Sequence, residues 1–200
     1  MGKNYSLITE EIIKGIKKEK EVPTLLLHSC CAPCSSSVIE YLSHFFRITV
    51  FFYNPNITNK DEYKKRLEEQ KRFIDVFGTE NLVEFIEGPY DTDKFFDFAE
   101  ELREDREGGW RCVLCYTMRM KKTAQTAYNK NFDYFTTTLT LSPLKNAGNI
   151  NEIGKELEKN HQIKYLYSDF KKRDGYKRSI ELSKEYFLYR QNYCGCDYSK

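Results

Sequence analysis

A chain of 200 residues can bury a core of its own, so it does not depend on covalent staples, and 32 Lys and Arg against 30 Asp and Glu leave a formal charge of +2 that gives no bulk sign of nucleic-acid binding. No run approaches the ~18 to 20 apolar residues that a membrane helix requires, and no apolar signal sequence is read at the start, so a cytoplasmic protein without disulfides is expected.

In chain order, residues 1–22 read as a helical extension whose Lys14, Lys17, Lys18 and Lys20 suggest a frayed, solubilising segment. TLLLH (Thr24 to His28) is the first strand, a turn carrying CCAPC follows, and Ser35 to Phe45 reads as a helix with Val38, Ile39, Leu42 and Phe45 inward. ITVFFY (Ile48 to Tyr53) is a continuous β-rich run suited to a strand covered on both faces. A loop with Pro55 leads into a helix over Lys60 to Phe77, with Gly78 where a C-cap glycine would sit. Leu82 to Ile86 reads as a third strand, Asp93 to Arg103 and Val113 to Tyr128 as helices, and Tyr134 to Thr138 as a fourth strand. Ile150 to Asn160 and Ser179 to Tyr189 read as the last helices, with Ile163 to Leu166 a fifth strand between them. This alternation predicts an α/β fold, a single-domain, open, mostly parallel sheet with helices on both faces. No repeat, linker or composition break separates a second domain within residues 1–200.

All seven cysteines fall in three tight groups: Cys30, Cys31 and Cys34; Cys112 and Cys115; Cys194 and Cys196. Thiolates converging from distant segments can bind a soft metal or an iron–sulfur cluster, because one short loop can aim two or three sulfurs but cannot close a four-ligand shell. A disulfide framework is disfavoured by the odd count and by the cytoplasmic setting. Structural zinc is the serious competitor, since CxxC is half of many zinc sites, but seven thiols exceed what one tetrahedral zinc needs. The first group lies past the carboxyl end of the first strand and at the amino end of a helix, where open α/β sheets hold ligands and where thiol pKa values fall. Pro33 and three cysteines stand where a nucleotide-binding turn would carry glycines, which favours metal over nucleotide, although Ser35 to Ser37 offer donors.

HSCCAPCSSSVIEYL, FFYNPNI, RCVLCYTMRM, TTTLTLSPLKN and FKKRDGYKRSIELSKEYFLYRQNYCGCDYS, in that order over Thr24 to Ser199, resemble the QueH family of epoxyqueuosine reductases. The resemblance implies a fold related to the adenine-nucleotide α-hydrolases (HUP-like) and a tRNA substrate carrying epoxyqueuosine at the wobble position. It also implies a 4Fe-4S cluster with an additional mononuclear iron, and it carries metal-ligand roles to Cys30, Cys31, Cys34, Cys112, Cys115, Cys194 and Cys196. Cys112 and Cys115, one of Cys30 or Cys31 and one of the terminal pair are expected to hold the cluster, with Cys31 and Cys194 preferred. Cys30, Cys34 and Asp197 are expected to be catalytic, Asp197 as carboxylate ligand or proton donor. Removing an epoxide oxygen takes two electrons and two protons, so an unidentified low-potential electron donor is a required partner.

Lys171, Lys172, Arg173, Lys177 and Arg178, interleaved with Tyr176, are the expected RNA-binding run, although Asp174, Glu181 and Glu185 dilute it toward an ordinary solvated face. Arg119, Lys121 and Lys122 form a second basic group. His28, His44 and His161 are not spaced as metal ligands, and His28 is expected either to be structural or to hydrogen-bond a sulfur. A cluster-dependent tRNA thiolase or ATP-using transferase on the same sheet, and a non-catalytic zinc module that binds RNA, are the competing functions.

Overall fold

The computed structural model describes residues 3–199. Five parallel strands form one sheet in the order β3-β2-β1-β4-β5: β1 (Thr24–His28), β2 (Arg47–Phe52), β3 (Val83–Glu87), β4 (Tyr134–Thr137) and β5 (Lys164–Tyr165). Seven α-helices accompany it: α1 (Tyr5–Ile16), α2 (Ala32–Leu42), α3 (Lys60–Val76), α4 (Asp93–Ala99), α5 (Trp110–Asn129), α6 (Ala147–His161) and α7 (Gly175–Glu185). Among the described residues, no helix is long and apolar enough to cross a membrane.

Period-two alternation in the apolar strands sorts the core into two layers. Leu25 and Leu27 of β1 pack with Val38, Ile39 and Leu42 of α2, Phe73 of α3 and Ile13 and Ile16 of α1, while Leu26 packs with Phe135 of β4, Tyr116 and Met120 of α5 and Ile150 of α6. The chain runs from β1 to β2 to β3 on one side and then returns to place β4 on the other side of β1. That reversal opens a crevice at the carboxyl ends of β1 and β4, where a doubly wound sheet receives its ligand.

β1 has the expected bounds, and the other strands shift by a residue or shorten. Four helix boundaries differ for identifiable reasons. Helix α2 starts at Ala32 rather than Ser35: Cys31 is its extended N-cap and Pro33, with its fixed φ, sits in the first turn. Cys34 is therefore on the helix. Helix α4 stops at Ala99 rather than Arg103, because the carbonyls of Leu102, Arg103 and Asp105 turn inward to accept from Arg111 Nη1. Helix α7 starts four residues early, after Asp174 at φ +61°, and a side chain at Gly175 would strike the Phe170 carbonyl. At the end of α3 the C-cap is Phe77 in extended backbone, so Gly78 is not the left-handed cap expected of it.

The amino-terminal helix is docked rather than frayed. Tyr5, Thr9, Ile13 and Ile16 are buried, and Thr9 Oγ1 donates within bonding distance of the carbonyls of Tyr5 (2.8 Å) and Tyr167 (2.7 Å). Only its outer face, with Lys14, Lys17 and Lys18, is solvated.

Candidate metal centre

Three segments bring the cysteines to the carboxyl edge of the sheet. The β1–α2 turn places the sulfurs of Cys30, Cys31 and Cys34 within 4.8 Å of one another. At the start of α5, Cys112 and Cys115 are three residues apart and share a helix face. The carboxy-terminal turn carries Cys194 and Cys196 around Gly195, whose φ of +113° no L side chain adopts easily. Cys112, Cys115, Cys194 and Cys196 line one small cavity together with Asn56 and Arg111. Cys30, Cys34 and Cys194 line a larger cleft of about 320 Å³, so Cys194 belongs to both. All seven thiols are free.

Buried arginines hold these segments together. Arg66 of α3, 1% exposed, donates from Nη1 to the Cys194 carbonyl (3.0 Å) and from Nη2 to the Tyr193 carbonyl (3.3 Å), while Glu62 accepts from its Nε at 2.6 Å. Arg111, 2% exposed, reaches the Tyr198 carbonyl at 3.4 Å and lies over the Tyr198 ring. Arg119 is fully buried and donates to Cys115 O (3.3 Å) and Asn54 Oδ1 (3.4 Å). Asn54 in turn donates to Ser29 O at 2.8 Å, and Thr58 N donates to Gly195 O at 3.2 Å, so the FFYNPNI segment ties the first cysteine turn to the last. Gln191 Nε2 donates to Cys31 Sγ at 2.8 Å.

The protonation pattern follows from crowding and burial. Hydrogen bonds from Cys31 and Cys34 hold Cys30 well below the usual thiol range, aided by the charges of Lys145 and Arg119. Sharing with Cys30 pushes Cys31 up to about 12 and raises Cys34 as well. Desolvation pushes Cys115 up to about 12 and raises Cys196. Burial works to lower the Lys145 ammonium, but the charges of Cys194, Tyr116, Cys30 and Cys34 outweigh it and leave its pKa raised. His28 is lowered to about 3, first by burial and then by Arg119, so it is neutral. Its Nε2–H donates to Tyr53 O (3.1 Å), which leaves Nδ1 to accept from the Thr137 hydroxyl (2.8 Å); its role is structural.

These residues fit a thiolate-ligated metal group. Without metal several thiols stay protonated, and a metal would release those protons on binding. Arg119 Nη2 and Arg111 Nε are buried with no hydrogen-bond partner, which suits a site that holds an anionic thiolate–metal assembly. Ser35 to Ser37, considered above as phosphate donors, are all buried: Ser35 and Ser36 donate to the carbonyls of Ala32 and Pro33, Ser35 is also bonded to Gln70, and Ser37 Oγ has no hydrogen-bond partner among the described residues.

The family model for epoxyqueuosine reductase QueH matches residues 25–200. The chain belongs to the QueH family. It is 45% identical over 198 residues to epoxyqueuosine reductase QueH of Streptococcus pyogenes serotype M1, covering 98% of this chain and 78% of that one. The QueH of Staphylococcus epidermidis is 43% identical over 96% of this chain and 83% of its own, and that of Thermotoga maritima 36% identical over 88% and 90%.

The remaining expected residues are less central. Asp197 is exposed, opens a short 3-10 turn and faces Tyr90, outside both cavities. In the basic run Lys171 pairs with Asp169 at 2.7 Å, Arg173 pairs with Glu10, and Arg178 grips Glu40 with Nε and Nη2. Lys172 and Lys177 make no ion pair with a described residue. Arg119 is buried and therefore unavailable to a phosphate backbone, unlike Lys121. Sequence reading passed over Arg66, Arg111, Lys145 and Gln191; a QN pair just before CGC was the one local hint, and a lone Arg in a helix carries none.

Proposed function

We propose that this chain reduces epoxyqueuosine to queuosine at the wobble position of tRNA. The convergence of three separate cysteine groups on two cavities that share Cys194, in a QueH chain, carries this reading. We assign cluster binding to Cys112, Cys115, Cys31 and Cys194, with Cys196 beside them, and the second iron to Cys30 and Cys34. When bound, such a cluster and its neighbouring iron would supply low-potential electrons and a Lewis acid. The overall conversion takes two electrons and two protons, breaks both epoxide C–O bonds, forms a C=C bond and releases one water. The electrons come from an external low-potential donor.

The chain's own groups bind, orient and protonate. Arg66 and Gln191 fix the terminal turn and the Cys31 sulfur, Arg119 offsets thiolate charge from below, and the Lys145 ammonium faces the cleft, where it can hydrogen-bond a departing oxygen. Asp197, on the wet side of the terminal turn, is the candidate for delivering protons from solvent. Lys171, Lys172, Arg173, Lys177 and Arg178, the run that contains the cleft-lining Tyr176, are assigned to tRNA phosphates. A tRNA substrate supports a cytoplasmic location.

Anaerobically reconstituted protein should hold more iron than acid-labile sulfide and should convert epoxyqueuosine to queuosine in a tRNA anticodon stem-loop, read by nucleoside mass spectrometry. Zinc without sulfide, or an unaltered nucleoside with a low-potential reductant present, refutes it.

A further inference from the structure

The mouth of the cleft carries apolar groups that reduction chemistry does not need. Leu144, at the tip of the loop between the 3-10 turn after β4 and helix α6, has 75% of its surface exposed, and Tyr176 of α7 lines the same cleft with 37% exposed. The loop is held in shape: Leu144 N donates to Ser142 Oγ (3.3 Å), Lys145 N donates to Ser142 O (3.3 Å), and Pro143 fixes the intervening backbone. Arg190, also in the cleft wall, donates to Ser183 Oγ at 3.0 Å and has no carboxylate partner among the described residues. The cleft thus offers two apolar surfaces and a guanidinium that is bonded on one side to Ser183 Oγ and Ser179 O but carries no carboxylate, beside the thiols of Cys30, Cys34 and Cys194.

Anticodon-loop bases are unpaired and offer open faces to apolar side chains, and delivery of the reacting ring, which hangs from the wobble base on a short arm, to Cys30, Cys34 and Cys194 brings the bases beside it against the rim of the cleft. We propose that Leu144 and Tyr176 form a nucleobase clamp that packs on the bases flanking epoxyqueuosine, with Arg190 on the adjoining phosphate. The clamp rests on the functional reading above. Stacking on Tyr176 is sequence-tolerant, and apolar packing on Leu144 reads no hydrogen-bond pattern, so the clamp would serve every tRNA that carries the modification.

The test uses the metal-loaded protein and an anticodon stem-loop carrying epoxyqueuosine, with 2-aminopurine at the position 3′ to it. Binding to the parent protein should change the 2-aminopurine fluorescence. Leu144→Ala and Tyr176→Ala should each raise the stem-loop KM about tenfold, leave kcat within about twofold, and remove most of that fluorescence change. Tyr176→Phe should retain it, and visible absorption and iron content should match the parent throughout. Parent-like KM and fluorescence in both Ala variants would overturn the clamp while leaving the reductase reading intact. Failure of the parent itself to bind or reduce the stem-loop would overturn both.

Discussion

Arg66, Arg111 and Arg119 lie in different parts of the chain, Arg66 after Lys64 and Lys65 and Arg119 just before Lys121 and Lys122, and each is buried against the cysteine segments. The run from Lys171 to Arg178 is the densest positive charge in the sequence, and in the fold three of its five cations are bonded to carboxylates at the surface. Charge density along a chain therefore says little about where charge acts. In low dielectric a single guanidinium interacts strongly with nearby thiolates, whereas an exposed pair is screened and contributes roughly 0 to 1 kcal/mol.

The sharpest way to break that contrast is to remove a buried charge. Arg119→Ala leaves Cys115, Cys194 and Cys30 without their shared cation and leaves Asn54 Oδ1 without its donor. Folded stability should fall by about 3 to 5 kcal/mol in denaturant titrations, and iron should be lost on anaerobic desalting. An Arg119→Ala protein that keeps parental iron and stability would show that the buried cations are incidental.

Gly195→Ala probes the same region through backbone rather than charge. A Cβ there would sit 2.9 Å from Ile57 Cγ1 and 3.3 Å from Arg66 Nη1, at a φ of +113°. The substitution should cost about 1 to 3 kcal/mol and weaken metal retention, because Cys194 and Cys196 cannot both keep their aim. Iron analysis beside a thermal melt checks this, and a parental value in both measurements contradicts it.

Reversal of the two unpaired surface lysines should have the smallest effect on stability. Lys172→Glu with Lys177→Glu should change stability by no more than ~0.5 kcal/mol, while the slope of log K for tRNA against log salt falls by about 2. An unchanged slope would mark the run as a solvated face, with its paired members serving to dock α7 against α1 and α2.

The legible parts of this molecule share a cause. Strand β1 reads correctly to the residue and α3 begins where expected, because continuous apolar runs and a helical stripe report burial directly. The grouping of the cysteines is visible because short loops put ligands close in sequence as well as in space. Helices α2 and α7 were displaced because their starts are set by Cys31 with Pro33 and by Asp174 in the left-handed region, signals that differ from an ordinary side-chain cap. The end of α4 was invisible because Arg111, beyond the helix, draws the carbonyls of Leu102 and Arg103 inward. How the thiols divide between two cavities depends on where three segments cross, and spacing along the chain does not encode it.

The ties from Asn54 to Ser29 and from Thr58 to Gly195 also bear on the order of events in the cell. Asn54 and Ser29 each lie more than 100 residues before the terminal turn, so no metal ion can gather all three cysteine groups in a chain that is still extended. Closing loops of that length is entropically opposed until strands have paired and helices have docked. The sheet must come first and the inorganic cargo afterwards, so cofactor supply would govern how many finished molecules are active rather than how many fold.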